Sequence, residues 1–543
     1  MPCHDEVFEW SIFYRKSYGR DRMNDPAGLI ALDVTSDVSG LMDPPPTVES
    51  IVDPPVPEYA PPEKASLKER TVRSSIWTLV GFGSSQVIRF GSNLLLTRLL
   101  VPNDFGIAAL VGMAVNMFQQ FSDIGLGPAI IQNPRGDDAR FLNTAWTLSV
   151  IRGFILWLAA CAIAWPMSRI YHEPILLPLI MVTGFNGIIN GCYSTSLFQL
   201  NRHMQVGKMT ILNTTSQLIT AIVMISIAFA TKSVWAIIIG GIVSNLFTLV
   251  VSHFLIPGFR NRFDWDPTAV QELFRFGGWI FVSTAVTFFA NEVDRLIFGK
   301  IATMALLGLY QQATTLVRMP VELISRLSQV SLFPALSRSA ELGPEELNRK
   351  LLRARGVILP LGIAAVIGLA FGAPLFVAVL YSQIFQETGW MAQFMAVGLW
   401  ITILQSSADR ALLALAHARP LALTNAVNMV ATIIFAFVGH HFGSQFGPRG
   451  AVQGFILGVA VGNLGGHLVI QATLANRGIS IRGQDLAYTL LLLGIATIGF
   501  ALPKVLIPVF HTQKIAPMEL ACGLFVTAVT CGWAGLRALK VMR

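Results

Sequence analysis

LLTRLLVPNDFGIAALVGMAVNMFQQFSDIGLGPAIIQ, from Leu95 to Gln132, is the stretch whose reading decides what kind of protein this is. An apolar run ends at Pro102, which suits a turn, and Asp104 then stands at a helix start, where a carboxylate is favourable near unpaired backbone N–H groups. From Phe105 the chain stays mostly apolar to Gly127. A helix rises about 1.5 Å per residue, so a run of this length crosses a hydrocarbon layer of about 30 Å. Gly125 and Gly127 at its end permit a sharp exit or close contact with another helix.

Runs of the same length recur along the chain. They fall at roughly 75–96, 105–127, 141–163, 175–199, 210–230, 234–256, 273–298, 305–335, 356–380, 390–416, 421–441, 450–472, 486–508 and 519–537. Hydrophobic residues make up 53% of the chain and charged residues 13%. Soluble proteins carry about a quarter charged residues, so water is not the main solvent of this one. The reading is an all-α, polytopic membrane protein of about fourteen transmembrane helices. Ser, Thr, Asn and Gln at helical spacing within the runs suit bundle helices around a polar interior.

Residues 1–65 are different material, acidic and rich in proline, with no sustained apolar period. Disorder is expected there. Up to Glu63 the chain has 4 Lys and Arg against 12 Asp and Glu, a balance of −8, so the remainder carries +16 and the whole chain +8. Basic residues collect in alternate connections: Lys64 to Arg73, Arg135, Arg140, Arg202, Lys208, Arg260, Arg262, Arg349, Lys350, Arg477, Arg482 and Arg537 to Arg543 lie on one side. The other side holds Arg98, Arg169, Lys232, Lys300, Arg449, Lys504 and Lys514. Lys and Arg mark the cytoplasmic side, so both termini are expected in the cytoplasm of a multi-pass inner-membrane protein.

A weak internal repeat relates the first and seventh helices. Arg98-Leu99 leading to Phe105-Gly106-Ile107 matches Lys300-Ile301 leading to Leu307-Gly308-Leu309 at a constant offset. The natural division is a tail at 1–65, a six-helix lobe at 66–260, a second at 261–476, and two appended helices at 477–543. Repeats of this kind place a substrate site where the halves meet.

Five scattered cysteines with no CxxC spacing argue against a disulfide framework or a zinc site. The N-terminus has no signal-peptide pattern, so insertion is expected to rely on the first membrane helix. HExxH, GxGxxG and GxxxxGK[ST] spacings do not occur, which argues against a metal centre or nucleotide hydrolysis. Neither an enzyme, nor a resident cofactor, nor a nucleic-acid partner is expected.

The Leu95–Gln132 segment, with Arg98-Leu99-Leu100, Pro102, Asp104-Phe105-Gly106 and Phe121 to Gly127, resembles the polysaccharide transporter family of the multidrug/oligosaccharidyl-lipid/polysaccharide exporter superfamily. Asn291 to Lys300 followed by Leu307-Gly308-Leu309-Tyr310 is a second matching stretch. The similarity runs from about Ser66 to the C-terminus. It implies two six-helix bundles working by alternating access. The expected activity is that of a flippase carrying a polyprenyl-diphosphate-linked oligosaccharide from the cytoplasmic to the periplasmic leaflet. Membrane lipids, a polysaccharide polymerase and export machinery would be its partners. The competing readings are a multidrug cation antiporter of the same superfamily and, from another class, a membrane glycan polymerase or ligase, for which the connections are short.

Charges inside the spans carry the chemistry, because each costs roughly 2.5–3.5 kcal/mol at the bilayer centre if it faces lipid. Arg89, Arg152 and Arg318 lie deep by the helical ruler. Arg89 shares a face with Gln86 and Asn93; Arg318 shares one with Gln311 and Glu322. One reading is a wet cationic cavity for a diphosphate, which a guanidinium grips in a fork. The other is an Arg318–Glu322 helix pair with the remaining arginines on carbonyls. Asp123 and Glu322 are the candidates for coupling to a proton or sodium gradient. Asp123, Asp294, Arg295, Arg326, Asp409 and Arg410 read as residues near helix ends, for most of which ordinary interfacial placement is the expected account.

Overall fold

The structure is a computed structural model that describes residues 67–542 apart from 122–125, 204, 257–259, 328–335, 337–338, 340–342, 416–417 and 510–514. The acidic tail 1–65 and Asp123 therefore lie outside the described residues. Long helices follow one another with short turns between them. They are α1 (Leu67–Leu99), α2 (Pro102–Phe121), α3 (Leu126–Gln132), α4 (Ala139–Tyr171), α5 (Leu176–Gly184), α6 (Asn186–Gly191), α7 (Ser196–Arg202), α8 (Val206–Thr231) and α9 (Trp235–Ser252). The second part holds α10 (Pro267–Ile301), α11 (Met304–Leu327), α12 (Pro344–Leu380), α13 (Glu387–Ala414), α14 (Ala418–Ser444), α15 (Pro448–Ala475), α16 (Arg482–Val509) and α17 (Ile515–Met542).

Local chemistry sets several of these boundaries. Asp138 caps α4 by accepting from the Arg140 amide at 3.1 Å, and His172 ends the helix in the left-handed region at φ 58°. Asp266 caps α10 by accepting from the Thr268 amide at 3.0 Å, with Pro267 in the first turn. Pro320 lies inside α11, between Arg318 and Glu322, where it lacks the N–H that would bond one turn back.

The run at 175–199, read as one span, is broken. Leu176–Gly191 and Ser196–Arg202 meet at 61°. Glycines let the first piece press on α4: a Cβ on Gly191 would lie 2.5 Å from the Ser149 carbonyl oxygen. At the break, Ser194 and Thr195 leave the helical ladder for side chains, the Ser194 amide donating to Ser252 Oγ at 3.1 Å and the Ser194 hydroxyl to Asn261 at 2.8 Å.

Among the described residues, eight helices are long and apolar enough to cross a membrane, or nine with the bent pair taken as one span. The chain is thus an all-α polytopic membrane protein. Helices α1, α2, α10, α11 and α17, five of the fourteen apolar runs, are not among the eight or the bent pair. In α1, α10 and α11, Gln, Asn, Arg and Glu residues that line the cavities described below dilute the apolarity. One large apolar core joins α1, α2, α4, α5, α10, α11 and α13. A second joins α11, α12, α13, α15 and α16.

Candidate functional site

Two large polar cavities lie among the described residues of these helices. The first, of about 950 Å³, is walled by α1, α8, α9, α11 and the segment around Asn190 and Tyr193. Its lining comes from the beginnings of α1 and α8 and the ends of α9 and α11, so it lies toward the end that carries the basic connections. The walls are hydroxyl and amide groups: Thr78, Ser85, Gln86, Thr210, Asn213, Gln217, Ser244, Asn245 and Thr248 among them. Tyr193 donates to Asn245 Oδ1 at 3.1 Å, Asn245 donates to Asn186 Oδ1 at 2.9 Å, and the Ser216 and Thr248 hydroxyls are 2.8 Å apart. These bonds hold the wall in one arrangement.

Its charged groups are Arg89, Glu322 and Arg326. Arg89 Nη2 donates to Glu322 Oε2 at 2.5 Å, and Gln86 Nε2 donates to the same oxygen at 2.8 Å. Gln86 also accepts from Arg89, at 3.1 Å from Nε and 2.5 Å from Nη2. Glu322 is thus bound to α1, far away in sequence, and not to Arg318 one turn back on its own helix. Arg326 stands over the Phe82 ring at 5.8 Å.

The second cavity, of about 640 Å³, lies among α10, α11, α13, α14 and α15. It has the opposite electrostatics. Arg318 lines it together with Glu292, Asp294, Glu322 and Asp409. Asp294 accepts from the Tyr310 hydroxyl at 2.7 Å, and Glu292 pairs with the buried Arg295 at 2.5 Å. Asn425, Asn428, Thr432 and Asn463 complete the polar wall. Of the lining residues, Glu322 alone is shared with the first cavity.

At the opposite end of the molecule α2 and α11, which carry Phe105-Gly106-Ile107 and Leu307-Gly308-Leu309, meet. A Cβ on Gly106 would lie 2.0 Å from the Met304 carbonyl oxygen, and one on Gly308 would lie 1.8 Å from that of Pro102. Only glycine allows α2 and α11 this approach. Ser382 donates to the Thr97 carbonyl at 2.7 Å and Lys300 to that of Ile170 at 2.8 Å, tying the same end together. Near the basic connections, Arg135 pairs with Asp266 at 2.7 Å and with Asp138 at 3.1 Å. Hydrogen bonds from Thr268, and then from the Arg135 guanidinium, hold the Asp266 carboxyl well below the usual carboxylate range.

The sequence-derived candidates are therefore scattered. Arg89 and Glu322 meet, Arg318 lines the adjoining cavity, and Arg152, half-buried on α4, is not among the residues lining either. Asp294 and Asp409, read as interfacial, line the second cavity instead. Counting along a helix puts them near its end, and only the packing of α10 against α14 and of α13 against α15 shows them facing polar space. The spacing of Gln405 and Asp409, one turn apart, was the available signal. Arg326, read as interfacial in the same way, lines the first cavity.

Comparison with known proteins fits this architecture. The amylovoran biosynthesis protein AmsL of Erwinia amylovora is 27% identical over 261 residues, 47% of this chain and 66% of that protein, just under two thirds of its length. An uncharacterized membrane protein in the cps region of Klebsiella pneumoniae is 20% identical over 86% of this chain and 91% of its own length. In fold, the chain is similar to the lipid II flippase MurJ in an inward closed conformation. The TM-score is 0.63 and the identity 14%, over 84% of this chain and 99% of that one. It is also similar to an inward-facing multidrug resistance MATE family transporter of the MOP superfamily, with a TM-score of 0.58 and 13% identity over 73% and 94% of the two chains. The polysaccharide biosynthesis protein family matches residues 95–389, more than half of the sequence, and the chain belongs to that family.

Proposed function

We propose that the protein is a flippase that moves a polyprenyl-diphosphate-linked oligosaccharide across the bacterial inner membrane by alternating access. The observation that carries this reading is the pairing of a large polar cavity at the basic end with a glycine-closed seam at the other. Hydroxyl and amide walls suit a glycan, which offers many donors and acceptors, and Arg89 and Arg326 suit its diphosphate. Arg318, on the adjoining cavity, would serve the same headgroup at a later stage of its passage. Fourteen crossings, in lobes at 66–260 and 261–476 with two appended helices, put both termini and the first cavity's mouth on the cytoplasmic side. The substrate would then be received from the leaflet where it is made. Similarity to transporters and a family tied to polysaccharide biosynthesis support a carrier over a polymerase or ligase.

A second reading, export of organic cations, is favoured by the four carboxylates on the second cavity. Proteoliposomes separate the two. Protein reconstituted with a fluorescent polyprenyl-diphosphate glycolipid should move it between leaflets, and Arg89→Gln should slow this at equal protein abundance. Movement of a cationic dye with a motionless glycolipid would establish the antiporter instead.

A further inference from the structure

The first cavity already contains an anion. Glu322 Oε2 takes hydrogen bonds from Arg89 at 2.5 Å and Gln86 at 2.8 Å, which is how a phosphoryl oxygen would be held in the same place. Its carboxylate thus sits where the proposed headgroup would bind. The pair is not sealed in the protein: the side chains keep 55% and 38% of their exposure, in open polar space where water screens the attraction. It is therefore exchangeable. Glu322 also has somewhere to go. Arg318 and Arg326 lie four residues to either side on α11, within reach of an i, i+4 contact. Pro320, between Arg318 and Glu322, loosens the helix there. Glu322 stands at the wall shared by the two cavities.

We propose that Glu322 is a resident counter-anion which a lipid diphosphate must displace from Arg89, and whose return to Arg89 expels the headgroup after translocation. This rests on the flippase reading. A diphosphate carries more charge and more acceptor oxygens than one carboxylate, so it wins the competition on entry. Rebinding of Glu322 then lowers the cost of leaving Arg89 unpaired, so the substrate is not trapped.

The test is a double-mutant cycle with the full-length protein in nanodiscs and farnesyl diphosphate as the probe, alongside turnover in proteoliposomes. Glu322→Gln should bind the probe roughly three- to tenfold more tightly, because the internal competitor is gone. It should also turn over more slowly, because release loses its driving contact. A residue that merely supports the fold would worsen both quantities. In the Arg89→Gln background the tightening should vanish. Glu322→Asp, which keeps the charge but withdraws it by one methylene, should tighten binding by less, and serves if the Gln variant folds poorly. Inorganic diphosphate should show the same tightening at lower affinity. A response confined to inorganic diphosphate would overturn displacement by a lipid headgroup. If Arg89→Gln weakens probe binding but Glu322→Gln does not tighten it, the counter-anion role is wrong and the cavity reading stands. If Arg89→Gln leaves binding unchanged, both fall.

Discussion

The two cavities share Glu322 on α11, yet their chemistry is opposite. The first is walled by neutral hydroxyls and amides and carries two guanidinium groups against one carboxylate; the second carries one guanidinium against four carboxylates. An anionic headgroup is accommodated in the first without new charge burial, whereas in the second it would face Glu292, Asp294 and Asp409. Helix packing and the chemistry of polar faces are thus set by different residues. Packing depends on small residues at a few contact points, such as Gly106 and Gly308, while cavity walls tolerate any group that water or a partner satisfies.

The largest expected effect breaks this comparison directly. Arg89→Gln should lower glycolipid transport roughly tenfold to a hundredfold, the scale of a lost hydrogen bond to a charged group. Lys at the same place should restore part of it, since an ammonium supplies charge without the planar fork. Arg318→Gln should leave probe affinity within about threefold and act on turnover, because Arg318 sits among carboxylates. Equal loss of affinity in both variants would show that the two cavities form one anion site.

The seam gives the next effect. Gly308→Ala places a methyl where the Pro102 carbonyl oxygen stands, at 1.8 Å, and overpacking of this kind costs about 1–3 kcal/mol. The closed arrangement should lose population. An Asn103→Cys probe in that background should then react faster with an impermeant maleimide, and transport should fall several-fold. Unchanged labelling would mean that α2 and α11 do not part during the cycle.

Smaller effects mark the boundaries of the site. Asp266 has a folded-state pKa below its ordinary value of 3.8, so its stabilising contribution is complete above that value and is lost as pH falls further. Melting temperatures of the wild type and Asp266→Asn, measured in detergent, should differ most near neutral pH and converge on acidification below about pH 4. A gap that stays constant with pH would mean that the ionised carboxyl is not what matters. Arg152→Gln, away from both cavity linings, should keep transport within about twofold at equal protein abundance, an effect of about 0.4 kcal/mol. A collapse like that of Arg89→Gln would bring α4 into the substrate path.

From sequence alone came the solvent, the helical class and the approximate place of most helices. Those follow from run lengths and from start signals such as Pro102 and Asp104, all local physics. The sequence also marked Arg89, Arg318 and Glu322, because charge inside an apolar run demands an explanation. What it left open was pairing. Arg318 and Glu322 are neighbours on one helix, so local reasoning offered that pair, yet Glu322 binds Arg89 at a separation of 233 residues. Only the approach of α1 to α11 decides that contact, and only the stacking of α10, α13, α14 and α15 turns Asp294 and Asp409 from helix-end residues into cavity walls. Helical periodicity says which residues share a face. Which face meets which is decided by the packing of whole helices, where a glycine or a carbonyl far away in sequence sets the distance.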